Sequence, residues 1–327
     1  MLPIREGFQF IGRFPYILAN FDGVHYMNIA TRGYVTEGAF FPLYPLLIKL
    51  SPFWFGIIIS NLSILIAVYF LVRLLRIDYP RKTIAWTIIF LLVFPTAFFF
   101  HAVYSESLFL LLVILSFYLA RQGRWFWALV VAMFLCATRL VGIFIVPALM
   151  VEWWQQKRDW RFLPLLFLPS LSTIGYSLFN YYKWGDWLYF LHAHGQLANG
   201  RSTDSIIFPG QTLFRYWKIL TTISPQVYEW WIALLELGVF VGGCYLLYLG
   251  FKQKIRLPYL VFSGLCFFLP ALSGTFSGLP RYLIVCFPVF IVLGAVKSRV
   301  IKIFLATIFF VLQIILLTFF ARGYFVA

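Results

Sequence analysis

The sequence predicts an all-α, multi-pass membrane protein: one domain over residues 1–327, folded as a bundle of about ten transmembrane helices. Hydrophobic residues make up 62% of the chain and charged residues only 11%, whereas soluble domains carry about 25% charged residues. The mean hydropathy of +0.89 agrees with this composition. A repeated pattern of long apolar runs and short polar connections is the third observation, and it excludes an ordinary soluble domain.

The apolar runs define the predicted helices, since a membrane span takes about 17 to 25 residues. Some of the runs are shorter, and those between residues 107 and 154 are expected to form tightly turned hairpins. Pro95 should kink the second run. The runs cover residues 53–75, 84–104, 107–120, 125–138, 140–154, 162–182, 230–251, 258–275, 282–297 and 302–321.

The basic residues collect in alternate connections, which predicts the orientation of the bundle. Short connections rich in Lys and Arg follow the first, third, fifth, seventh and ninth runs. The positive-inside rule places these connections in the cytoplasm. The extracytoplasmic face then holds residues 1–52, a second large loop at residues 183–229, and the helix ends near Glu106, Arg139 and Arg281. We therefore expect these polar groups to converge on one face of the membrane.

The formal net charge of +15 would suggest a nucleic-acid partner in a soluble chain. Here the cations lie in short loops between spans, so we predict contact with membrane lipids and no nucleic-acid binding. The four cysteines lie inside apolar runs without CxxC spacing and read as buried, inert side chains. Four dispersed histidines, at 25, 101, 192 and 194, predict no metal site.

Residues 20–45 are the most polar and glycine-rich stretch of the chain. Asp22 is predicted to cap a short helix that stops at Gly33. Residues 40–51, with two prolines and too few residues to span, predict a helix lying along the membrane surface. Asp22 is either a capping carboxylate or a general base, and an N-cap position would weaken the base by stabilising its ionised form.

The same stretch resembles a known family. The segment FDGVHYMNIATRGY, followed by AFFPLYPLL, is similar to the first loop of the bacterial branch of the phosphatidylinositol-glycan mannosyltransferases, the PIG-V type, within the GT-C glycosyltransferases. Phe21 stands where that family usually has Trp, and residues 1–19 lack the apolar run that GT-C folds normally carry before this loop. The matching residues are Asp22, Gly23, Tyr26, Ile29, Ala30, Gly33, Tyr34, Phe41, Pro42, Leu43, Tyr44 and Pro45.

Further similarities follow in the family's order along nearly the whole chain: Tyr104-Ser105-Glu106, Thr138-Arg139 with Gly142, Gly185-Asp186, and Arg281-Tyr282 with Pro288. The resemblance implies an inverting glycosyltransferase in the bacterial plasma membrane, with an extracytoplasmic active site. The implied donor is a polyprenyl-phosphate sugar, with mannose as the sugar, and the acceptor is a lipid or a glycan. No cofactor and no metal are expected.

The resemblance assigns Asp22 the role of the base and gives the other polar residues roles beside it. Glu106 is either a first-turn acid favoured by the helix dipole or a second catalytic acid. Arg139 and Arg281 either extend to lipid headgroups or bind the donor phosphate. We expect Asp22 to lie near one of these arginines. The expected substrate contacts are His25, Tyr26, Tyr44, Arg139 and Arg281.

The rival hypothesis is a transporter or flippase of lipid-linked sugars. Transporters of this kind carry inverted repeats and helices broken near the membrane midplane. The sequence shows no internal repeat, and we expect no matching pair of interrupted segments in the two halves. Polar residues instead concentrate at one face, which favours an enzyme.

Overall fold

The computed structural model describes residues 13–197, 202 and 205–326. In these ranges the chain is all-helical and contains no strand. Parts of both predicted outer loops, residues 1–12 and residues 198–201, 203 and 204, lie outside the described residues. The α-helices are α1 Asp22–Arg32, α2 Leu43–Leu47, α3 Pro52–Leu75, α4 Arg81–Val93, α5 Glu106–Arg121, α6 Trp125–Cys136, α7 Ile145–Gln155, α8 Ser170–Trp184, α9 Tyr189–Leu197, α10 Pro209–Thr222, α11 Tyr228–Lys252, α12 Leu257–Ala271, α13 Leu279–Ile284, α14 Pro288–Gly294 and α15 Arg299–Ala321.

Three helices, α3, α11 and α15, are long and apolar enough to cross a membrane. Much of their apolar surface faces outwards: Leu65, Val241 and Phe304 are each more than half exposed. A soluble protein rarely presents so much contiguous apolar surface, whereas lipid tails cover it without cost. The chain is therefore a membrane protein, as its composition predicted.

Helix α5 forms the centre of the bundle. Phe109, Ile114 and Phe117 on α5 are fully buried, and the helix packs against α3 on one side and α6 on the other. A helix with apolar residues around most of its circumference is normally surrounded by other helices. Its first residue, Glu106, therefore enters the protein interior together with the helix.

Several apolar runs are interrupted, among them those at 84–104 and 282–297, where the sequence predicted one helix each, with a kink at Pro95 in the first. The run at 84–104 ends its α-helix at Val93, before Pro95, and resumes as a 3₁₀ helix, Ala97–His101. The run at 282–297 is divided between α13 and α14, with Pro288 at the start of α14. Proline lacks the N–H that would continue the helix, so both breaks have a local cause.

The charged connections predicted to be cytoplasmic meet at one end of the bundle. Arg121, at the end of α5, donates hydrogen bonds to Asp78, in the connection between α3 and α4, at 2.7 and 3.0 Å. Arg256 donates to both oxygens of Glu152, at 2.7 and 3.1 Å. Arg121 also approaches Glu152 at 3.9 Å. Four connections that are distant in sequence therefore share one end, as their charge pattern predicted.

The polar loop at residues 20–45 folds mostly as predicted, with one correction. Phe21 occupies the N-cap position of α1, and Asp22 is the first helical residue without a capping hydrogen bond. The N-cap assignment of Asp22 was therefore wrong. Gly33 ends α1 with φ of 75°, a left-handed value that suits glycine. Pro42 is the N-cap residue of α2 and Pro45 lies inside this helix, which is only five residues long.

The second large loop is largely helical and packs on the first. It contains α9 and α10. The Tyr176 hydroxyl, on the preceding helix α8, donates to the carbonyls of Gly38 and Phe40, at 2.9 and 2.8 Å. Phe190 on α9 packs edge-on against Phe41, with ring centroids 5.7 Å apart. The two loops therefore lie together, as expected for groups on one face of the membrane.

Candidate functional site

Two carboxylate–arginine pairs come together where α1, α5 and α13 meet. The Nη1 atom of Arg281 donates to Oδ2 of Asp22 at 2.5 Å. Arg139 donates to Oε1 of Glu106, and Arg281 lies 3.9 Å from the same oxygen. Arg281 therefore links the two pairs into one cluster. The expected proximity of Asp22 and Arg281 is confirmed, although 259 residues separate them in sequence.

Backbone contacts hold the segments that carry these side chains. The Val103 N–H donates to the Leu18 carbonyl at 3.0 Å, and the Tyr104 hydroxyl donates to the Asn20 carbonyl at 2.8 Å. These bonds fix the start of α1 against the start of α5. The Thr96 hydroxyl, beside the break after α4, donates to the Pro280 carbonyl at 2.9 Å and so fixes α13 next to Arg281. The interrupted helices thus position the cluster.

Gly23 allows α1 to approach this region closely. A Cβ at position 23 would lie 3.2 Å from the Ala19 Cβ and 3.3 Å from the Val103 carbonyl oxygen. Both distances are tighter than ordinary van der Waals contacts. A larger residue would move the first turn of α1 away from α5, and Asp22 stands in that turn. The close approach of α1 to α5 therefore explains why a glycine follows Asp22.

Aromatic rings surround both arginines. The Arg281 guanidinium lies 5.4 Å from the Phe99 ring centroid and 5.6 Å from that of Tyr104. The Arg139 guanidinium lies 5.4 Å from the Tyr282 ring. Such contacts stabilise a cation that has left water. Sequence reasoning missed this role because aromatic residues are common throughout the chain, and only the position of Tyr282 beside Arg281 gave a signal.

The cluster is buried but not closed. The exposed fraction of the side chain is 27% for Asp22, 15% for Arg139, 10% for Arg281 and 1% for Glu106. Arg281 and Arg139 therefore do not extend to lipid headgroups, the alternative left open by their sequence positions. Asp22 is the most accessible of the four, so a ligand would reach the cluster past α1.

Three buried polar atoms at the cluster lack a hydrogen-bond partner among the described residues. They are Nε of Arg281, Oε2 of Glu106 and Nδ1 of His25. Buried polar atoms are nearly always paired, and an unpaired one costs about 1 to 3 kcal/mol. The cluster therefore offers a spare N–H donor on an arginine and a spare carboxylate acceptor, which is the pattern of a site that awaits a polar ligand or water.

The charges around Asp22 control its ionisation. Burial by itself would raise the pKa of Asp22, but the ion pair with Arg281 and the nearby charge of Arg139 outweigh it, so the pKa lies below its usual value of 3.8. Because this pKa is lower in the folded than in the unfolded chain, the pair stabilises the fold above pH 3.8. That contribution is lost as the pH falls through the folded-state pKa.

The other predicted substrate contacts differ in their access to the cluster. The His25 ring stacks on Phe40, with centroids 5.0 Å apart. The Tyr26 hydroxyl pairs with Ser105 at 2.8 Å, directly before Glu106. Tyr44 is fully buried, and its hydroxyl pairs with Ser60 at 3.0 Å. Tyr44 therefore packs behind Tyr26, an arrangement that does not favour contact with a substrate.

No family model matches the chain, and neither the curated proteins nor the solved structures contain a detectable relative. Within the described ranges, no group of three His, Cys, Asp or Glu side chains could hold a metal ion. What the site does must therefore be argued from its own geometry: two acids and two arginines, of which Glu106 and Arg281 are buried, with spare donor and acceptor atoms at one end of a membrane-embedded helical bundle.

Proposed function

We propose that the chain is an inverting membrane glycosyltransferase that moves a sugar from a polyprenyl-phosphate donor to a lipid or glycan acceptor. The proposal includes the GT-C-like bundle of about ten spans, the mannose donor, the plasma membrane and the extracytoplasmic site that the resemblance implies. The cluster of Asp22, Glu106, Arg139 and Arg281 would be its active site.

The observation that carries the proposal is the spare hydrogen-bonding capacity of this cluster. A sugar phosphate ester brings anionic oxygens, which suit the free Nε–H of Arg281. The sugar brings hydroxyl groups, and one of them can donate to a free carboxylate oxygen such as Oε2 of Glu106. Both complementary groups lie within one cluster, because Arg281 reaches both acids.

The geometry also suggests how a base with a lowered pKa becomes effective. In the free protein Arg281 neutralises Asp22. A bound donor phosphate would compete for the same guanidinium and leave Asp22 less stabilised as an anion, which raises its basicity. Asp22 would then accept the proton of the acceptor hydroxyl, whose oxygen bonds to the anomeric carbon. The bond from that carbon to the phosphate oxygen breaks, its electron pair stays on that oxygen, and the polyprenyl phosphate anion leaves while Arg281 and Arg139 neutralise its charge.

This mechanism predicts different acid limbs in the two pH profiles of transfer. The profile of kcat/KM reports the free protein, where the pKa of Asp22 lies below 3.8. The profile of kcat reports the bound complex, where the competing phosphate raises that pKa. The acid limb of kcat should therefore lie at higher pH than that of kcat/KM. Between about pH 4 and pH 8, kcat should fall on the acid side while kcat/KM stays level. Initial rates across this range measure both profiles, and an acid limb at the same pH in both would contradict the exchange of Arg281.

Transfer by the purified protein is the direct test of the proposed function. The protein in detergent is mixed with polyprenyl-phosphate mannose that carries a radioactive sugar, and with lipid and glycan extracts as acceptor pools. We expect the label to leave the donor and appear in a new product, with release of polyprenyl phosphate. Boiled protein is the blank. No labelled product from either pool, with folded protein, would count against the transferase.

A transporter or flippase of lipid-linked sugars is the second candidate, and one observation favours it. The interrupted segments at α4 and at α13–α14 pack against each other, and broken helices are common in transporters. The detergent assay separates the two functions, because movement across a bilayer cannot occur without one. Label that stays on the donor in detergent, but crosses the bilayer of sealed proteoliposomes, would favour the flippase.

A further inference from the structure

Lys302 is a buried cation far from the carboxylate–arginine cluster. It lies in the first turn of α15 and is only 8% exposed. The other end of α15 reaches the cluster region, where the Asn20 amide donates to the Phe320 carbonyl at 3.2 Å. Eighteen residues of helix at 1.5 Å each separate Lys302 from Phe320 by about 27 Å. Lys302 therefore lies near the opposite end of the bundle.

The ammonium group of Lys302 has a ring beside it but no acceptor. Its Nζ atom lies 5.0 Å from the centroid of the Trp86 ring. Within the described part of the chain, it forms neither a hydrogen bond nor an ion pair. An ammonium carries three N–H donors, and none of those of Lys302 has an acceptor among the described residues. The contact with Trp86 leaves those three hydrogen-bonding positions available to a ligand.

Two helix N-termini frame this cation. Helix α4 begins at Arg81 with no side-chain cap, whereas α15 begins at Arg299 and the Ser298 hydroxyl accepts its Ile301 N–H. Helix α14 packs tightly on the first turns of α4, since a Cβ on Gly294 would lie only 2.7 Å from the Thr83 carbonyl oxygen. Helix N-termini present free N–H groups and the positive end of the dipole, and both attract anions.

The two chain segments that form this region carry only cations, and the acid nearest to them in sequence, Asp78, is paired with Arg121. Residues 79–93 and 286–303 contain no Asp or Glu. Apolar side chains lie exposed directly beside these cations, with Val300 at 76% and Ile301 at 50%. A lipid with an anionic headgroup can contact cations and neighbouring exposed apolar side chains at the same time. The basic residues of the two segments are Arg81, Lys82, Lys297, Arg299 and Lys302.

We propose that Lys302, Trp86 and the N-termini of α4 and α15 form a binding site for the phosphate of an anionic phospholipid. We name it the Lys302 site. The phosphate oxygens accept hydrogen bonds from Lys302 and from the free backbone N–H groups of α4. The acyl chains lie along the exposed apolar side of α15. The site is independent of the proposed transferase, and its charge suits the anionic cytoplasmic leaflet predicted to face it.

Lipid retention by the full chain tests the site. The purified protein is equilibrated in detergent with equal amounts of dioleoylphosphatidylglycerol and dioleoylphosphatidylcholine, and bound lipid is counted by native mass spectrometry. We expect the wild-type protein to retain phosphatidylglycerol preferentially. Lys302→Gln should weaken that retention roughly fivefold, as expected for one basic residue at an anionic surface. Lys302→Arg should keep most of it.

The matched control is Lys49→Gln, which removes an exposed cation beside the first loop and should leave retention unchanged. Equal losses in both glutamine variants would show unspecific charge attraction and overturn the site. The site would also be overturned if the wild-type protein showed no preference for phosphatidylglycerol. That measurement does not depend on the folding of any variant. If inorganic phosphate alone stabilised the protein against heat as much as phosphatidylglycerol does, the ligand of the site would be a free anion and not a lipid.

Discussion

The Asp22→Asn variant is expected to lose sugar transfer while it stays folded in detergent. Asparagine keeps the size of the side chain but cannot accept the hydroxyl proton, and general base catalysis typically contributes about 10²- to 10⁴-fold. Arg281 keeps a carboxylate neighbour in this variant, since Glu106 lies 3.9 Å away. The measurement is the initial rate of label transfer, with gel filtration and thermal unfolding as checks of folding.

Glu37→Gln is the matched control for Asp22→Asn. Glu37 belongs to the same loop, and its carboxylate accepts the N–H of Thr36 at 2.9 Å, a bond that a glutamine oxygen can keep. The control removes the same charge without touching an arginine, so it should transfer sugar at the wild-type rate. Wild-type turnover by folded Asp22→Asn would end the assignment of Asp22 as the base.

Glu152→Gln should lower the stability of the protein strongly while it leaves the carboxylate–arginine site intact. Glu152 is fully buried and faces both Arg256 and Arg121. Removal of one partner of a buried ion pair leaves the other charge uncompensated and costs about 3 to 5 kcal/mol. Because Arg256 is 26% exposed and regains some water, we expect the lower part of that range. Thermal unfolding in detergent measures the change.

Arg124→Gln provides the comparison for Glu152→Gln. Arg124 lies in the same set of basic connections, but it is exposed. Exposed charges contribute between about 0 and 1 kcal/mol, so the unfolding midpoint should stay near the wild-type value. Equal midpoints for Glu152→Gln and the wild-type protein would mean that the ion cluster does not hold the connections together.

The sequence predicted the helical segments well wherever one run made one helix. The runs at 53–75, 230–251 and 302–321 correspond to α3, α11 and α15 within a few residues, because hydrophobicity over about 20 residues is a local property. The runs at 84–104 and 282–297 were predicted as single helices, with only a kink at Pro95 in the first, whereas each of them is broken. Proline marks a weak point in a helix, but neighbouring segments decide whether it bends or ends there.

The sequence predicted which four charged residues form the candidate site, but it did not predict which of them pair with each other. Alternating charge placed Asp22, Glu106, Arg139 and Arg281 on one face, and this required only the direction of each span. The sequence could not tell that Arg281 would bind Asp22 while Arg139 binds Glu106. Pairing depends on the rotation of each helix about its axis and on packing between distant segments. Tyr44 illustrates the same limit, since its burial behind Tyr26 follows from packing alone.

The sequence by itself determined that this chain is helical, that it belongs in a membrane, and that its acids and cations gather at particular ends of the helices. Each of these properties follows from hydrophobicity and charge within short segments. Only the tertiary structure decided which charges pair, which polar atoms stay unsatisfied, and that Lys302 lies buried against Trp86. Those features arise from contacts between residues far apart in the chain, and only the packed bundle brings them together.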